Sequence, residues 1–145
     1  MRKILLILLI LGALLVSACG LKRSNPLDPV GNPALEIPGT PSGLRYTTSG
    51  SGPGTKFVNL TWDSNSSINT DGYYIYRSLA YFNTFAVVDT VLHINGNLTQ
   101  NFIHSSADDS TVLPGDYWYR VSAFKTYHGG RLEGRFSEPL FVRLP

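Results

Sequence analysis

The sequence predicts an all-β sandwich of seven strands, preceded by a leader and a proline-rich linker. From Gly39 onward, short runs rich in Tyr, Val, Ile, Thr and Phe alternate with clusters of Gly, Asn, Ser and Asp. The clusters recur at intervals of roughly 8–15 residues, which is typical of the turns in all-β domains. No stretch keeps the 3.6-residue apolar period of a helix. Seven strands in this segment match the size of a sandwich domain of ~100 residues.

Composition excludes several other classes of protein. The chain has 145 residues, of which 43% are hydrophobic and 15% are charged, so it can bury a core and is not disordered. A single Cys excludes a disulfide scaffold. The formal charge of +2 includes Arg2 and Lys3, and without them 12 − 2 = 10 bases balance 10 acids. The mature protein is therefore expected to be neutral, with no basic surface for nucleic acid.

Residues 1–18 have the order of segments found in a secretory signal peptide. Arg2 and Lys3 precede an apolar run from Ile4 to Val16, which is 13 residues long. A bilayer span needs ~20 apolar residues, whereas a signal-peptide core needs ~7–15. The run ends in Val16-Ser17-Ala18-Cys19, which resembles a bacterial lipobox. This resemblance predicts cleavage before Cys19 and attachment of diacylglycerol and a fatty acid such as palmitate there.

A lipidated Cys19 would place the protein in the bacterial cell envelope, because two or more acyl chains give stable membrane anchoring. Gly20, rather than Asp, follows the cysteine. By resemblance to enterobacterial sorting, this favours the outer membrane over the inner membrane. The alternatives are a plain signal peptide with an incidental cysteine, or a short uncleaved anchor.

Residues 19–38 are predicted to be a tether. Prolines recur every few residues, at Pro26, Pro29, Pro33 and Pro38. Each proline fixes its own φ and pushes the preceding residue toward extended geometry. At ~3.1 Å per residue, an extended linker of this length would reach up to ~60 Å from the lipid. The folded domain is then expected to occupy residues 39–145.

Each predicted strand lies between two turn-forming clusters. In chain order, the strands are Gly43–Thr47, Lys56–Asp63, Gly72–Ser78, Phe85–Leu92, Thr99–His104, Asp116–Lys125 and Phe136–Leu144. Alternation along the second strand turns Val58, Leu60 and Trp62 to one side, and the sixth strand does the same with its odd-numbered residues. These sides are expected to form the core.

Residues 39–145 resemble a fibronectin type III domain, an immunoglobulin-like sandwich. The motifs that carry the resemblance are Pro41-Ser42-Gly43-Leu44, Val58-Asn59-Leu60-Thr61-Trp62, Gly72-Tyr73-Tyr74-Ile75-Tyr76-Arg77, Tyr117-Trp118-Tyr119-Arg120-Val121-Ser122-Ala123 and Ser137-Glu138-Pro139. The resemblance implies that Trp62 lies in the core and that Tyr117 forms a tyrosine corner. Leu113-Pro114 stands one to two residues closer to this tyrosine than the family pattern has it, so the corner is expected to be rebuilt or absent.

Catalytic and metal-binding constellations are not expected. His93, His104 and His128 lack metal-ligand spacing and are interpreted as surface or turn residues. The adjacent Asp108 and Asp109 lie in a Ser/Asp cluster typical of a turn, where two neighbouring carboxylates do not face one substrate. The sequence therefore predicts a non-enzyme without cofactors or bound metal.

One surface is a candidate binding site. In the third and sixth strands, Tyr74, Tyr76, Trp118 and Arg120 point away from the predicted core, and these strands are neighbours in the fibronectin type III arrangement. An exposed aromatic patch marks a binding surface for a protein or a glycan. The alternative is cross-strand pairing that only stabilises the sheet.

These features predict a non-catalytic lipoprotein, anchored to the membrane through Cys19, that binds a protein or glycan partner. The alternative is a structural accessory subunit of a cell-envelope assembly.

Overall fold

The computed structural model describes residues 25, 27–127 and 129–145. The predicted signal peptide, Cys19, Pro26 and His128 lie outside these residues. The chain divides into two compact units, Met1–Leu35 and Glu36–Pro145. Among the described residues, no helix is long and apolar enough to cross a membrane.

The described part of the first unit is a series of turns. Asn25, Asp28 and Asn32 each accept a hydrogen bond through the side-chain oxygen from the backbone N–H two residues later, at 3.0, 3.0 and 3.3 Å. Backbone bonds such as that from Gly31 N–H to the Asp28 carbonyl, 3.1 Å, close further turns. The expected extended linker is therefore wrong for these residues. Asn and Asp fold the backbone around their own side chains, and this effect outweighs the stiffness of the prolines.

The second unit contains eight β-strands in the described residues. They are β1 (Arg45–Thr48), β2 (Phe57–Asp63), β3 (Gly72–Ser78), β4 (Ala86–Leu92), β5 (Thr99–Ser105), β6 (Gly115–Tyr127), β7 (Gly130–Glu133) and β8 (Leu140–Leu144). β1, β2 and β5 form one antiparallel sheet in the order β1-β2-β5. The other sheet has the order β4-β3-β6-β7, and β8 also pairs with β6. The predicted all-β, immunoglobulin-like sandwich is confirmed.

The last predicted strand, Phe136–Leu144, is too long at its start, and β7 was not expected. β6 has 13 residues; its first part pairs with β8 and its last part pairs with β7. Between them, Gly134 N–H and Ser137 N–H donate to the carbonyls of Ala123 and Val121, both at 2.8 Å. The Ser137 hydroxyl accepts from Val121 N–H at 3.0 Å. Residues 134–137 thus continue the sheet edge without regular strand geometry.

The first predicted strand also begins later than expected, at Arg45 instead of Gly43. Gly43 has a φ of +63°, in the left-handed region that strands do not use and that favours glycine. A Cβ at this position would also meet the carboxylate of Asp63, so that side chain would have to move to admit it.

The core lies between the two sheets, where the sequence places it. Val58, Leu60 and Trp62 of β2 are fully buried. The indole ring of Trp62 meets the ring of Tyr73 edge-on, with centroids 5.1 Å apart. The inner side of β6 completes this core with Tyr117, Tyr119, Val121 and Ala123.

The tyrosine corner is present. The Tyr117 hydroxyl donates to the Leu113 carbonyl at 2.6 Å and accepts from Leu113 N–H at 3.2 Å. The bond therefore reaches back four residues, and the closer spacing of Leu113-Pro114 does not prevent it.

Candidate functional site

The candidate site is the outer face of the five-stranded sheet. In the β3–β6 register, Tyr74 lies opposite Ser122, Tyr76 opposite Arg120, and Ser78 opposite Trp118. Because residues two apart in a strand share a face, the structure places the four predicted patch residues together on this face. Their accessibility, however, differs along the sheet.

One half of the outer face is closed. Tyr76 is only 9% exposed, its ring meets Phe136 edge-on at 5.0 Å, and its hydroxyl donates to Glu133 Oε1 at 2.6 Å. Burial, followed by the hydrogen bond and the charge of Glu133, raises the pKa of Tyr76. The expectation that Tyr76 is exposed is therefore wrong, because β7 and residues 134–137 cover it.

Tyr74 belongs to the same closed half. Its ring packs against Phe124 at 4.8 Å, and Phe124 itself is only 1% exposed. Arg131 of β7 lies 4.4 Å above the Phe124 ring and donates to the Tyr74 hydroxyl at 3.1 Å. This cation–π stack joins β7 to the sheet and leaves Tyr74 half-buried.

The other half of the outer face is open. Trp118 is half-buried and contacts the rings of Tyr81 and Phe141 at 5.0 and 5.1 Å. Phe82 continues this row at 4.8 Å from Tyr81 and is 93% exposed. Sequence reasoning missed Tyr81 and Phe82, which lie in the β3–β4 loop, because strand alternation says nothing about where a loop residue points.

Arg120 lies beside this aromatic row. Its guanidinium is 4.5 Å above the ring of Phe85. Its Nε is buried and makes no hydrogen bond. Cation–π stacking holds the side chain in place without neutralising its charge. We call Tyr81, Phe82, Trp118, Arg120 and Phe141 the open patch.

The histidine expected at the surface, His104, is instead buried between the sheets, with 4% exposure. Its Nε2 lies 2.9 Å from Asp109 Oδ2, and its Nδ1 lies 3.0 Å from the Tyr119 hydroxyl. Because a carboxylate only accepts, the geometry assigns the proton to Nε2 and makes Tyr119 the donor to Nδ1. The predicted surface role of His104 is wrong: it joins β5 to β6 across the core.

The electrostatics of this cluster are those of a buried structural network. Burial lowers the pKa of His104 and raises that of Tyr119. Hydrogen bonds from Thr111, and then from His104, lower the pKa of Asp109. A hydroxyl next to a His–Asp pair resembles an activated nucleophile, but Tyr119 is fully buried and meets no substrate.

The remaining candidate residues do not form a catalytic group. Asp108 is exposed, whereas Asp109 is bonded to His104, so the two carboxylates do not act together. His93 Nδ1 lies 3.0 Å from the Tyr73 hydroxyl, which accepts from Asn65 N–H at 3.0 Å. This contact ties the loop after β4 to the loop after β2. Within the described residues, no group of three or more His, Cys, Asp or Glu side chains is placed to hold a metal ion.

Two cavities lie away from the open patch. One, of 590 Å³, is lined by residues 40–44 and 137–140, with Glu138 as its one acidic side chain. The other, of 410 Å³, lies beside Arg77, Asp116 and Tyr117. In that second cavity Asp116 is held by Arg143, through Oδ contacts of 2.7 and 2.8 Å, so its carboxylate already has a partner.

One comparison with known proteins supports the fold. Among solved structures, the chain is similar to one described as "The crystal structure of a Fn3-like protein from Clostridium thermocellum", with 22% sequence identity and a TM-score of 0.51. The match covers 76% of this chain and 96% of that one. No protein-family model matches the sequence, and no curated protein matches it. The fold and the outer face thus define a fibronectin type III-like β-sandwich domain.

Proposed function

We propose that the protein is a non-catalytic lipoprotein of the bacterial cell envelope, anchored through Cys19, whose fibronectin type III-like domain binds a protein or glycan. The observation that carries the anchoring is the order of segments in the leader: two basic residues, the 13-residue apolar run, and Val16-Ser17-Ala18-Cys19. Each element has the length or the small side chains that lipoprotein processing requires.

Lipid would hold the domain at a membrane without a spanning helix. Each buried CH₂ group contributes about 0.8 kcal/mol, and two or more acyl chains make anchoring stable. Cys19 is the only cysteine, so it is the only thiol available for the thioether. It is consequently also unavailable for thiol catalysis.

The open patch supports the binding role. It combines half-buried Trp118 with exposed Phe82, and clusters of exposed aromatic side chains are typical of interaction surfaces. In the polar cluster around His104, the histidine and Tyr119 are enclosed in the core, whereas Asp109 reaches the surface. A sandwich of this kind suits a binding or structural module better than an enzyme.

Metabolic labelling with an alkyne palmitate tests the anchoring. We expect the native chain to be labelled and to fractionate with the membrane, and the Cys19→Ser chain to be unlabelled. A Ser17→Ala chain is the matched control, because alanine is also small and labelling should persist. Native protein that is unlabelled, full length and free in the cytosolic extract would contradict the proposal.

Purification of the native lipoprotein from detergent-solubilised membranes tests the binding role. A soluble protein or a glycan that binds to the open patch, and is lost with a Trp118→Ala change, supports it. Stable recovery within a large envelope assembly, unaffected by that change, would instead support a structural accessory subunit.

A further inference from the structure

Unlike Arg45, Arg77 and Arg143, Arg120 has no acidic partner. Arg131 of β7 also lacks one, but its guanidinium donates to the Tyr74 hydroxyl in the closed half. Arg45 pairs with Asp63 at 3.2 Å, Arg77 lies 4.0 Å from Asp109, and Arg143 pairs with Asp116 at 2.7 Å. Among the described residues, no carboxylate lies within ion-pair distance of the Arg120 guanidinium, and that group makes no side-chain hydrogen bond. A guanidinium that is held in place but lacks its counter-charge suits an anionic ligand.

The surroundings of Arg120 fix its side chain. Phe85 covers one side of the guanidinium at 4.5 Å, and the Nε is buried at the sheet surface. Glu133 lies on the same face, but its Oε1 already accepts from the hydroxyls of Tyr76 and Ser122. These two bonds hold the Glu133 carboxylate in the closed half, and it forms no ion pair with Arg120.

We infer that the open patch binds an acidic polysaccharide, with Arg120 receiving the carboxylate of a uronic acid unit and the aromatic row receiving the sugar rings. This deepens the proposed function by naming the class of ligand. The guanidinium fork matches a carboxylate with two parallel N–H···O bonds. The apolar C–H face of a pyranose ring packs flat against an aromatic side chain. The rings of Trp118 and Phe82, each nearly perpendicular to the Tyr81 ring between them, at 79° and 80°, offer such faces.

The shape of the face favours a glycan over an acidic peptide. Peptides commonly bind by adding a strand to a sheet edge or by inserting anchors into a groove. Arg120 instead lies on β6, between β3 and the edge formed by β7, β8 and residues 134–137, and it lines neither of the cavities described above. Separate ring faces on Trp118 and Phe82, with the Arg120 guanidinium on the same side of the sheet, suit a sugar chain whose units each pack against one ring.

Affinity electrophoresis of the full chain, extracted in mild detergent, tests this inference. The probes are polygalacturonate, alginate and hyaluronan. Methyl-esterified polygalacturonate is the matched uncharged polymer, and polyglutamate is the acidic peptide for comparison. We expect at least one acidic polymer to retard the protein, and esterification and added salt to weaken that retardation. The Arg120→Gln chain should bind about tenfold more weakly or worse, whereas the Arg45→Gln chain, which loses the same charge on the other sheet, should bind like the native protein.

Circular dichroism shows whether the variants fold, and Arg120→Lys provides a second variant that keeps the charge but not the fork. We expect Arg120→Lys to bind more weakly than the native chain and more tightly than Arg120→Gln. Failure to bind any acidic polymer, equal binding of the esterified polymer, or preference for polyglutamate would overturn the inference. Binding by a chain that is not labelled at Cys19 would instead overturn the anchoring alone and leave the ligand class standing.

Discussion

Strand alternation assigns side chains to the inner and outer faces of the five-stranded sheet in the same way, but the two faces differ in solvent exposure. Along β6, Tyr117, Tyr119, Val121 and Ala123 face inward, and none is more than 5% exposed. The intervening residues face outward, yet Phe124 is as deeply buried as the core residues, whereas Trp118 and Arg120 are half-buried. Alternation therefore determines which side of a sheet a residue occupies, but not whether solvent reaches it.

The difference arises from what crosses the outer face. β7 and residues 134–137 cover the end of β6 around Ser122 and Phe124, through Arg131, Glu133 and Phe136. Across the other end, the β3–β4 loop supplies Tyr81 beside Trp118 without enclosing it. The aromatic side chains stay accessible to solvent only where the covering segment stops.

The largest expected effect is in the interior. Trp62→Ala should lower the free energy of unfolding by about 3–5 kcal/mol, because it removes a fully buried indole and leaves a cavity between the sheets. Urea unfolding monitored by circular dichroism measures the change. An unchanged unfolding midpoint would show that Trp62 does not support the core.

A smaller effect is expected in the closed half of the outer face. Tyr76→Phe keeps the ring against Phe136 but removes the hydroxyl that donates to Glu133 at 2.6 Å. A hydrogen bond to a charged group contributes about 1.5–3 kcal/mol, and exposed Glu133 recovers part of this by binding water, so we expect a loss of about 2 kcal/mol. Urea unfolding is again the measurement. The double variant Tyr76→Phe/Glu133→Gln should lose less free energy of unfolding than the sum of the two single losses. If the losses add in full, the two side chains are not coupled.

A smaller loss still is expected in the open patch. Trp118→Ala removes ring contacts with Tyr81 and Phe141, but the indole is only half-buried, so the loss should be about 1 kcal/mol. The urea midpoint of Trp118→Ala should be compared with that of Trp62→Ala, because the same substitution is then measured on the outer face and in the core. Equal losses would mean that Trp118 is a structural residue and that the patch is not free for a ligand. A Trp118→Phe chain, which keeps an aromatic ring, should be close to native.

These contrasts show which parts of the molecule the sequence could predict. The period of two placed Val58, Leu60 and Trp62 inward, and turn-forming clusters bounded β3 correctly, because both depend on local chemistry. The burial of Tyr76 depends instead on Phe136 and Glu133, about sixty residues later in the chain. The proline-based prediction of an extended linker failed because Asn and Asp side chains make their own local turns.

His104 shows the same limit inside the core. Its sequence neighbours, Ser and Asp, suggest a turn, and nothing local predicts that Tyr119 of the opposite sheet donates to its ring. The packing of the two sheets brings Tyr119 to the histidine, whereas Asp109 reaches it from the β5–β6 loop, five residues further along the chain.

Acidification tests the interior alone, because the two histidines that the structure describes lie in the core and at its end, and neither lies on the outer face. Burial lowers the pKa of both His104 and His93. For His104, the charge of Arg77 lowers the pKa further, whereas Asp109 and Asp89 oppose the shift. Since a histidine in the unfolded chain titrates near ~6.5, the unfolded state binds more protons below that pH, and stability should fall as the pH decreases from about 7.5 to about 5.5.

The lowered pKa of Asp109 acts in the same direction at still lower pH, where its protonation ends the bond to His104. Melting temperatures of the native and His104→Gln chains over this range measure the contribution of His104. The His104→Gln chain should be less stable than the native chain at neutral pH, but its melting temperature should fall less on acidification. His93 contributes to that fall in both chains. A native protein that becomes more stable on acidification would mean that His104 is charged in the fold, and the assignment of Tyr119 as the donor to Nδ1 would then be wrong.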